Sequence, residues 1–347
     1  MTTIRDVASR AGVSVATVSH VVNESRTVSP DTKERVLAAI AELRYRPHGV
    51  ARSLRRSKTG TIGVIISDIT NPFFADLVRG IEHAIQVLDS RINYILSNTD
   101  EDSHKERLAL DVLLEKRVDG LVIAPAGGNQ SYLADAARRI PMVFVDRMLP
   151  RVEADAVLVN NLGATRRILD HLIGLGHRRI ALLKATLHAN SIEERVTAYR
   201  QALAENGLEF DPALVYESPS TIADACAVGS RILAGAPRPD AVFCTNNFMT
   251  LGMIRAVHEK GLRCPEDIAI AGFDDFPWAD SFNPQLTTIA QPGFSMGEEA
   301  IRLLIDRMSK KRTGPAIRVV LGADLIIRES CGAKLRRRRE ASAAAAD

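Results

Sequence analysis

Two periodicities divide the chain. From Ile4 to Tyr45 apolar side chains recur every three or four residues, the spacing of one helix face; from Gly60 onward they gather in short runs of Ile, Val and Ala between amphipathic stretches. In the first region Ile4, Val7, Ala8 and Ala11 share a face, and Asp6 lies in the first turn, where a carboxylate meets the positive end of the helix dipole. Gly12 can take the left-handed backbone that ends a helix abruptly. Ser14 is placed to cap a second helix reaching Val22, with Val18 and Val21 turned inward and Val15, Ala16 and His20 outward. Ser29 and Pro30 open a third helix that runs to Tyr45, with Val36, Leu37, Ile40 and Leu43 as its inward stripe. Two short helices joined by such a turn form the helix-turn-helix layout, whose second helix lies in the DNA major groove.

Beyond Gly60 the runs TIGVIIS, INYILSN, DGLVIAP and PMVFVD predict strands, separated by helices near 74–88, 103–116 and 130–139. RIALLKA, LVYES, DAVFCTN and DIAIAGFD repeat the rhythm, with helices near 161–174, 191–206, 221–234 and 248–260. Continuous apolar strands that cross over through helices imply parallel sheets covered on both faces, here as two similar α/β lobes. LTTIAQP, a helix from about 294 to 309, and RVVLGADLIIRES read as chain passing back between the lobes.

Charge sharpens this division. The net charge of +3 over 347 residues hides a basic head: residues 1–60 hold eleven Lys and Arg against five Asp and Glu, whereas residues 61–333 hold 29 against 35. A small basic module on an acidic body is the footprint of phosphate-backbone binding. Charges at Arg5, Asp6 and Arg10 break any N-terminal apolar run, and no window approaches a membrane span, so the expectation is a cytoplasmic protein with no membrane partner. Cys226, Cys244, Cys264 and Cys331 show no CxxC spacing; buried thiols are expected, with neither disulfide framework nor metal site, and no cofactor.

The segment TIRDVASRAGVS-ATVSHVVN, followed by Tyr45-Arg-Pro-His-Gly-Val-Ala-Arg-Ser-Leu54, resembles the head and hinge of the LacI/GalR family of bacterial transcription regulators, and the likeness continues to about Ser330. The resemblance implies an all-α helix-turn-helix head plus an α/β, two-lobed periplasmic-binding-protein-like body with parallel sheets. It implies these segments: a DNA-binding domain at 1–46, a hinge helix and linker at 47–59, one lobe from 60–160 plus about 292–322, and the other from 161–291 plus about 323–330; the tail at 331–347 lies outside the likeness, is basic without apolar periodicity, and is expected to be disordered. The resemblance also implies double-stranded operator DNA as partner, a homodimer, and a small effector (a sugar, sugar acid or related metabolite) held in the interlobe cleft.

On the DNA side the expected residues are Ser14, Val15, Ala16, Thr17, His20, Asn23, Arg26 and Tyr45 in the head, and Arg52, Leu54 and Arg55 in the hinge. Val15 and Ala16 offer apolar contact, for instance to a thymine methyl, while His20 can donate to a guanine acceptor; Arg26 is a second candidate. The family likeness makes Leu54 a wedge that unstacks a base step, with Arg52 and Arg55 on phosphates. The alternative reading of Leu54 is a linker leucine packed on the body.

Parallel α/β sheets bind ligands at the carboxyl ends of their strands. There the chain places Asp68 to Phe74 (DITNPFF, with Asn71, Phe73 and Phe74), then Asp146 and Arg147, Asn246 and Asn247, and Asp274 and Asp275; the family likeness adds Arg195 and Gln291. Carboxylates, amides, guanidinium groups and aromatic faces are what a polyhydroxylated ligand requires. Asn246-Asn247 stands where many relatives carry Asn-Asp. With Arg147, Arg195, Lys184 and His188 nearby, a sugar acid competes with a neutral sugar as effector.

Enzyme readings fail on order and spacing. Gly293-Phe-Ser-Met-Gly297 matches a nucleophile elbow, but the required histidine follows that serine in such folds, and here all eight histidines precede Ser295. Ser295 is expected instead to cap a helix. A transport-type sugar receptor would explain two lobes but not the basic head and hinge.

Overall fold

A computed structural model describes residues 2–23, 26–45, 59–128 and 130–335. The chain divides into two compact units, Met1–Thr59 and Gly60–Asp347.

In the first unit, helix α1 (Ile4–Ala11) opens with a capping box: the Thr3 hydroxyl accepts from the Asp6 N–H, and the Asp6 carboxylate accepts from the Thr3 N–H at 2.7 Å. Gly12 closes it in the left-handed region at φ 64°. The Ser14 Oγ accepts from the Thr17 N–H at 3.1 Å and so caps α2 (Val15–Asn23) as expected. Helix α3 spans Pro30–Glu42. Val7, Ala8, Ala11, Val18, Val21, Val36 and Ala39 are the buried core of this unit. One residue of the expected α3 stripe departs: Leu37 is 49% exposed, and Ala39 takes the inward place. Among the described elements α1 and α2 cover α3, and its buried face is the narrow arc through Val36, Ala39 and Ile40, with Leu37 outside it.

The second unit contains two six-stranded sheets. The first lobe uses β1 (Thr61–Ile66), α4 (Pro72–Asp89), β2 (Asn93–Asn98), α5 (Ser103–Glu115), β3 (Leu121–Ile123), α6 (Ser131–Ala137), β4 (Met142–Val145) and β5 (Asp155–Val159). The second uses α7 (Asn161–Gly174), β6 (Ile180–Ala185), α8 (Asn190–Glu205), β7 (Val215–Ser218), α9 (Ile222–Leu233), β8 (Ala241–Cys244), α10 (Asn247–Glu259), β9 (Ala269–Phe273) and β10 (Thr287–Ala290). The chain returns to the first lobe through α11 (Gly293–Met308) and β11 (Arg318–Leu321), then back to the second with β12 (Asp324–Ile326). The sheet orders are β2-β1-β3-β4-β5-β11 and β7-β6-β8-β9-β10-β12, the same doubly wound topology twice. Every pairing is parallel except β10 with β12. In both sheets the order reverses beside the first strand, and the crevice that opens there is the usual ligand position.

Three stretches depart from the sequence reading. DAVLV, which it passed over, is the fully buried strand β5; its Asp155 carboxylate takes a bidentate bond from Arg307 (Nε and Nη2, both 2.7 Å) and accepts from the Ile317 N–H, tying β5 to the returning chain. The segments read as passing chain contribute β10, β11 and β12, which extend the two sheets. Cys331, expected to begin a disordered tail, is fully buried, with its sulfur 3.3 Å from the His171 Nε2 and its carbonyl 3.0 Å from the His177 Nε2. An ordered chain end thus continues past residue 330, whereas 336–347 lie outside the described residues.

The GFSMG motif proves to be a packing device. A Cβ on Gly297 would lie 2.1 Å from the Leu77 carbonyl oxygen, and one on Gly80 would lie 1.9 Å from the Phe294 carbonyl oxygen, so these glycines let α4 and α11 touch backbone to backbone. Ser295 is exposed in the first turn of α11, which carries no side-chain cap.

Candidate DNA interface and effector cleft

On the helix-turn-helix, burial separates scaffold from contact residues. Val18 and Val21 are buried, Val15 is 41% exposed, and Ser14, Ala16 and Arg26 are exposed. Thr17 and His20 are half-buried; Tyr45 is half-buried and packs against the head core. Helix α2 therefore presents a mostly apolar edge with one titratable group, the pattern expected of base-edge reading. The Asn23 side chain and the expected hinge residues Arg52, Leu54 and Arg55 lie outside the described residues.

Between the lobes lies a cavity of about 690 Å³. Asn71, Phe73, Phe74, Asp146, Arg147, Arg195, Asn246, Asp274 and Gln291 all line it, nine of the ten expected positions. Each arrives from a strand end or the helix that follows. Asn71 caps α4, its Oδ1 accepting from the Phe73 N–H at 3.0 Å, which fixes the Phe73 and Phe74 rings 5.0 Å apart in an edge-to-face pair. Asp146, after β4, and Asp274, after β9, both adopt left-handed backbone, at φ 65° and 71°. Asp100 and Glu101 do the same at 52° and 57°, so four non-glycine residues of this kind line the cleft, three from the first lobe and Asp274 from the second. Such backbone costs free energy and gathers at ligand sites.

The tenth residue, Asn247, is not on the wall. It is 1% exposed and donates from Nδ2 to the Asn71 Oδ1 at 2.9 Å, joining the N-terminus of α10 in one lobe to that of α4 in the other. Asn246 keeps its cleft position while its Oδ1 caps α10 by accepting from the Met249 N–H.

Both guanidinium groups are buried and committed. Arg195 donates from Nε to the Asn161 Oδ1 at 3.0 Å and from Nη1 to the Thr245 carbonyl at 2.6 Å, and lies 3.6 Å above the Phe273 ring. Burial draws its pKa down, opposed by the carboxylates of Asp274 and Asp146. Arg147 donates from Nε to the Asp146 Oδ2 at 3.0 Å, from Nη1 to the Pro125 carbonyl at 3.4 Å and from Nη2 to the Glu101 Oε1 at 3.4 Å. Burial opposes its charge, but the Asp146 and Glu101 carboxylates prevail and raise its pKa. Asp274 accepts from the Gln291 Nε2 at 2.5 Å; burial pushes its pKa up to about 6 despite the nearby Arg195. The Gln291 Oε1 is buried with no partner among the described residues.

The sequence reading missed part of the wall. Asp100, Glu101, Ser191, Ile192, Thr221 and Phe248 line the cleft as well. Asp100 and Glu101 follow β2, and the strand-end rule applied to INYILSN would have found them. His188 lies on the wall, whereas Lys184 turns away into an ion pair with Glu217 at 2.7 Å. Asp275 is committed elsewhere, to a bidentate bond with Arg328. Behind the wall the fully buried Glu106 accepts from the Ala126 N–H, the Gln130 Nε2 and the Tyr132 hydroxyl, holding the loop after β3; burial raises its pKa.

Comparison with known proteins places both halves. Residues 3–48 match the family model described as bacterial regulatory proteins, lacI family, and residues 169–331 match that of a periplasmic binding protein-like domain. The chain is 36% identical over 334 residues to the HTH-type transcriptional repressor PurR of Haemophilus influenzae (strain PittEE), covering 95% of this chain and 98% of that one. A crystal structure of the Lac repressor dimer bound to operator and the anti-inducer ONPF superposes with a TM-score of 0.84 at 29% identity, over 95% of this chain and 99% of the other. The complex of the transcriptional regulator CelR with cellobiose gives 0.72 at 32% identity, over 95% and 100%.

Proposed function

This chain belongs to the lacI family of bacterial regulatory proteins, and from that premise we propose that it represses genes of carbohydrate uptake or catabolism, binding a palindromic operator as a dimer under control of a neutral sugar. The observation that carries the effector class is the charge of the wall. Asp68, Asp100, Glu101, Asp146 and Asp274 set five carboxylates against the two guanidinium groups of Arg147 and Arg195, both already engaged. An anionic ligand entering there meets net negative charge, whereas hydroxyl groups both donate to carboxylates and accept from amides and arginines. Phe73, Phe74 and Phe248 supply flat apolar faces for the C–H side of a sugar ring. CelR, a similar protein, is named as a complex with a neutral disaccharide, which accords with this reading. PurR and the Lac repressor are named as repressors, which supports the sign of regulation.

The coupling follows from geometry. Ligand between the lobes favours one closure, and the Asn71–Asn247 bond is a contact across them that a change of closure would have to stretch. The resulting population shift is limited by the ligand's differential affinity for the two closures.

The test is selection of bound duplexes from random DNA with the full chain at a fixed, stated salt concentration, followed by titration of the enriched duplex with a panel of neutral sugars. Enrichment of a palindrome whose affinity changes with one sugar is the expected result. His20→Ala should relax preference at one symmetric base pair by about 1–3 kcal/mol and leave the rest of the site intact. A protein that enriches no sequence, with or without the panel, overturns the repressor reading; an enriched site that answers only to anionic metabolites overturns the neutral-sugar reading.

A further inference from the structure

Glu101 stands out because its backbone conformation and its side-chain placement agree on one purpose. It follows Asp100 in the turn between β2 and α5, and the two residues take successive left-handed conformations at φ 52° and 57°. Aspartate and asparagine tolerate that region through local hydrogen bonds; glutamate lacks that compensation. The turn is nonetheless firmly held. The Glu101 N–H donates to the Ser67 carbonyl at 3.3 Å, Lys105 pairs with Asp100 at 2.5 Å, and Asp102 caps α5. The Glu101 carboxylate, on a side chain 27% exposed, is thereby held 3.4 Å from the Nη2 of Arg147 on the cleft wall.

The other nitrogens of that guanidinium are taken by Asp146 and by the Pro125 carbonyl. With Glu101 in place, all three guanidinium nitrogens already donate to acceptors of the protein, and a carboxylate or phosphate seeking the bidentate geometry of arginine recognition has to compete with Glu101 at Nη2. A ligand anion would have to displace Glu101 and leave its charge unpaired beside the ligand's own. A hydroxyl group meets no such conflict, since it accepts from Arg147 and donates to Glu101 at once.

We infer that Glu101 is a specificity-determining residue that occupies Arg147 and so restricts the cleft to neutral polyhydroxylated ligands, excluding their carboxylate and phosphate counterparts. The inference rests on the neutral-sugar reading above and names the residue that enforces it.

The test compares dissociation constants, by calorimetry on the full-length protein, for the sugar that binds best and for its uronic acid and phosphate ester. Glu101→Gln should move the neutral-to-anion affinity ratio toward the anion by on the order of tenfold, the size of one partly screened charge. Glu101→Asp, which keeps the charge, should hold the ratio closer to that of the parent. Glu101→Asn provides a second neutralising variant that the left-handed turn accepts more easily. Asp68→Asn removes a wall carboxylate whose Oδ1 accepts from the Thr70 N–H and hydroxyl, and should move the ratio much less. A ratio unchanged in both neutralised Glu101 variants, or moved equally by Asp68→Asn, overturns the inference while leaving the neutral-sugar reading in place. A parent protein that prefers the acid or the phosphate overturns both.

Discussion

Asp274 makes the cleft a titratable site, and the sign of its effect differs between stability and binding. The residue is 5% exposed, and burial lifts its pKa from 3.8 to about 6. A difference of about two units corresponds to ~3 kcal/mol between its protonation states. In the ligand-free protein the folded state holds this proton more tightly than the unfolded chain. Its stabilising contribution is therefore fully present below the ordinary carboxylate pKa and is lost as pH rises through about 6. Asp274→Asn removes the titration while keeping a polar partner for Gln291. Urea denaturation of parent and variant at a series of pH values should show the parent losing ~3 kcal/mol relative to the variant between about pH 4 and pH 7. Groups that titrate in both proteins cancel in that difference. Ligand binding should run the other way. The ionised carboxylate accepts from sugar hydroxyls, so parent affinity should fall below about pH 6, by up to tenfold per unit, while the variant binds weakly with a flat profile. Stability curves that stay parallel across this range would refute the claim that a buried, proton-binding Asp274 lies in the cleft.

Other consequences follow from single contacts. Gly80→Ala drives a methyl group against the Phe294 carbonyl and should destabilise the second unit by about 1–3 kcal/mol or more, with Gly297→Ala similar, as read by the urea midpoint. Asn247→Asp replaces the donor in the 2.9 Å bond to Asn71 by a second acceptor in a buried setting. It should cost about 1–3 kcal/mol in stability and weaken the link between effector and operator binding, measured as the change in DNA affinity at saturating sugar; an unaltered link would show that the bond is only structural.

Much of the fold was legible because it rests on local periodicity. The capped helices of the head, the inward Val18 and Val21, and the alternation of apolar runs with helices depend on spacing and turn chemistry that a chain carries along its length. Strand ends are local as well, which is why seven cleft residues could be placed on the wall from the strand pattern, Arg195 and Gln291 being added by the family likeness. What failed was non-local. Asp155 at the start of DAVLV reads as polar until Arg307, far along the chain, neutralises it within the sheet. Leu37 obeys the helical stripe, yet it is exposed because, among the described residues, the helices packed on α3 cover the arc beside it and not Leu37 itself. The glycines of GFSMG suggested a nucleophile turn until α4 was seen to lie against them.

The sequence by itself determined the division into a basic reading head and a two-lobed α/β body, and the chemical types available at the strand ends. Tertiary structure alone decided how those groups are used: Asn247 bonds to Asn71 rather than facing the cleft, and the cleft arginines are spent on carbonyl, amide and carboxylate partners. The physical reason is that a side chain's charge state and free valences depend on partners brought together across long stretches of sequence and on the water those partners exclude.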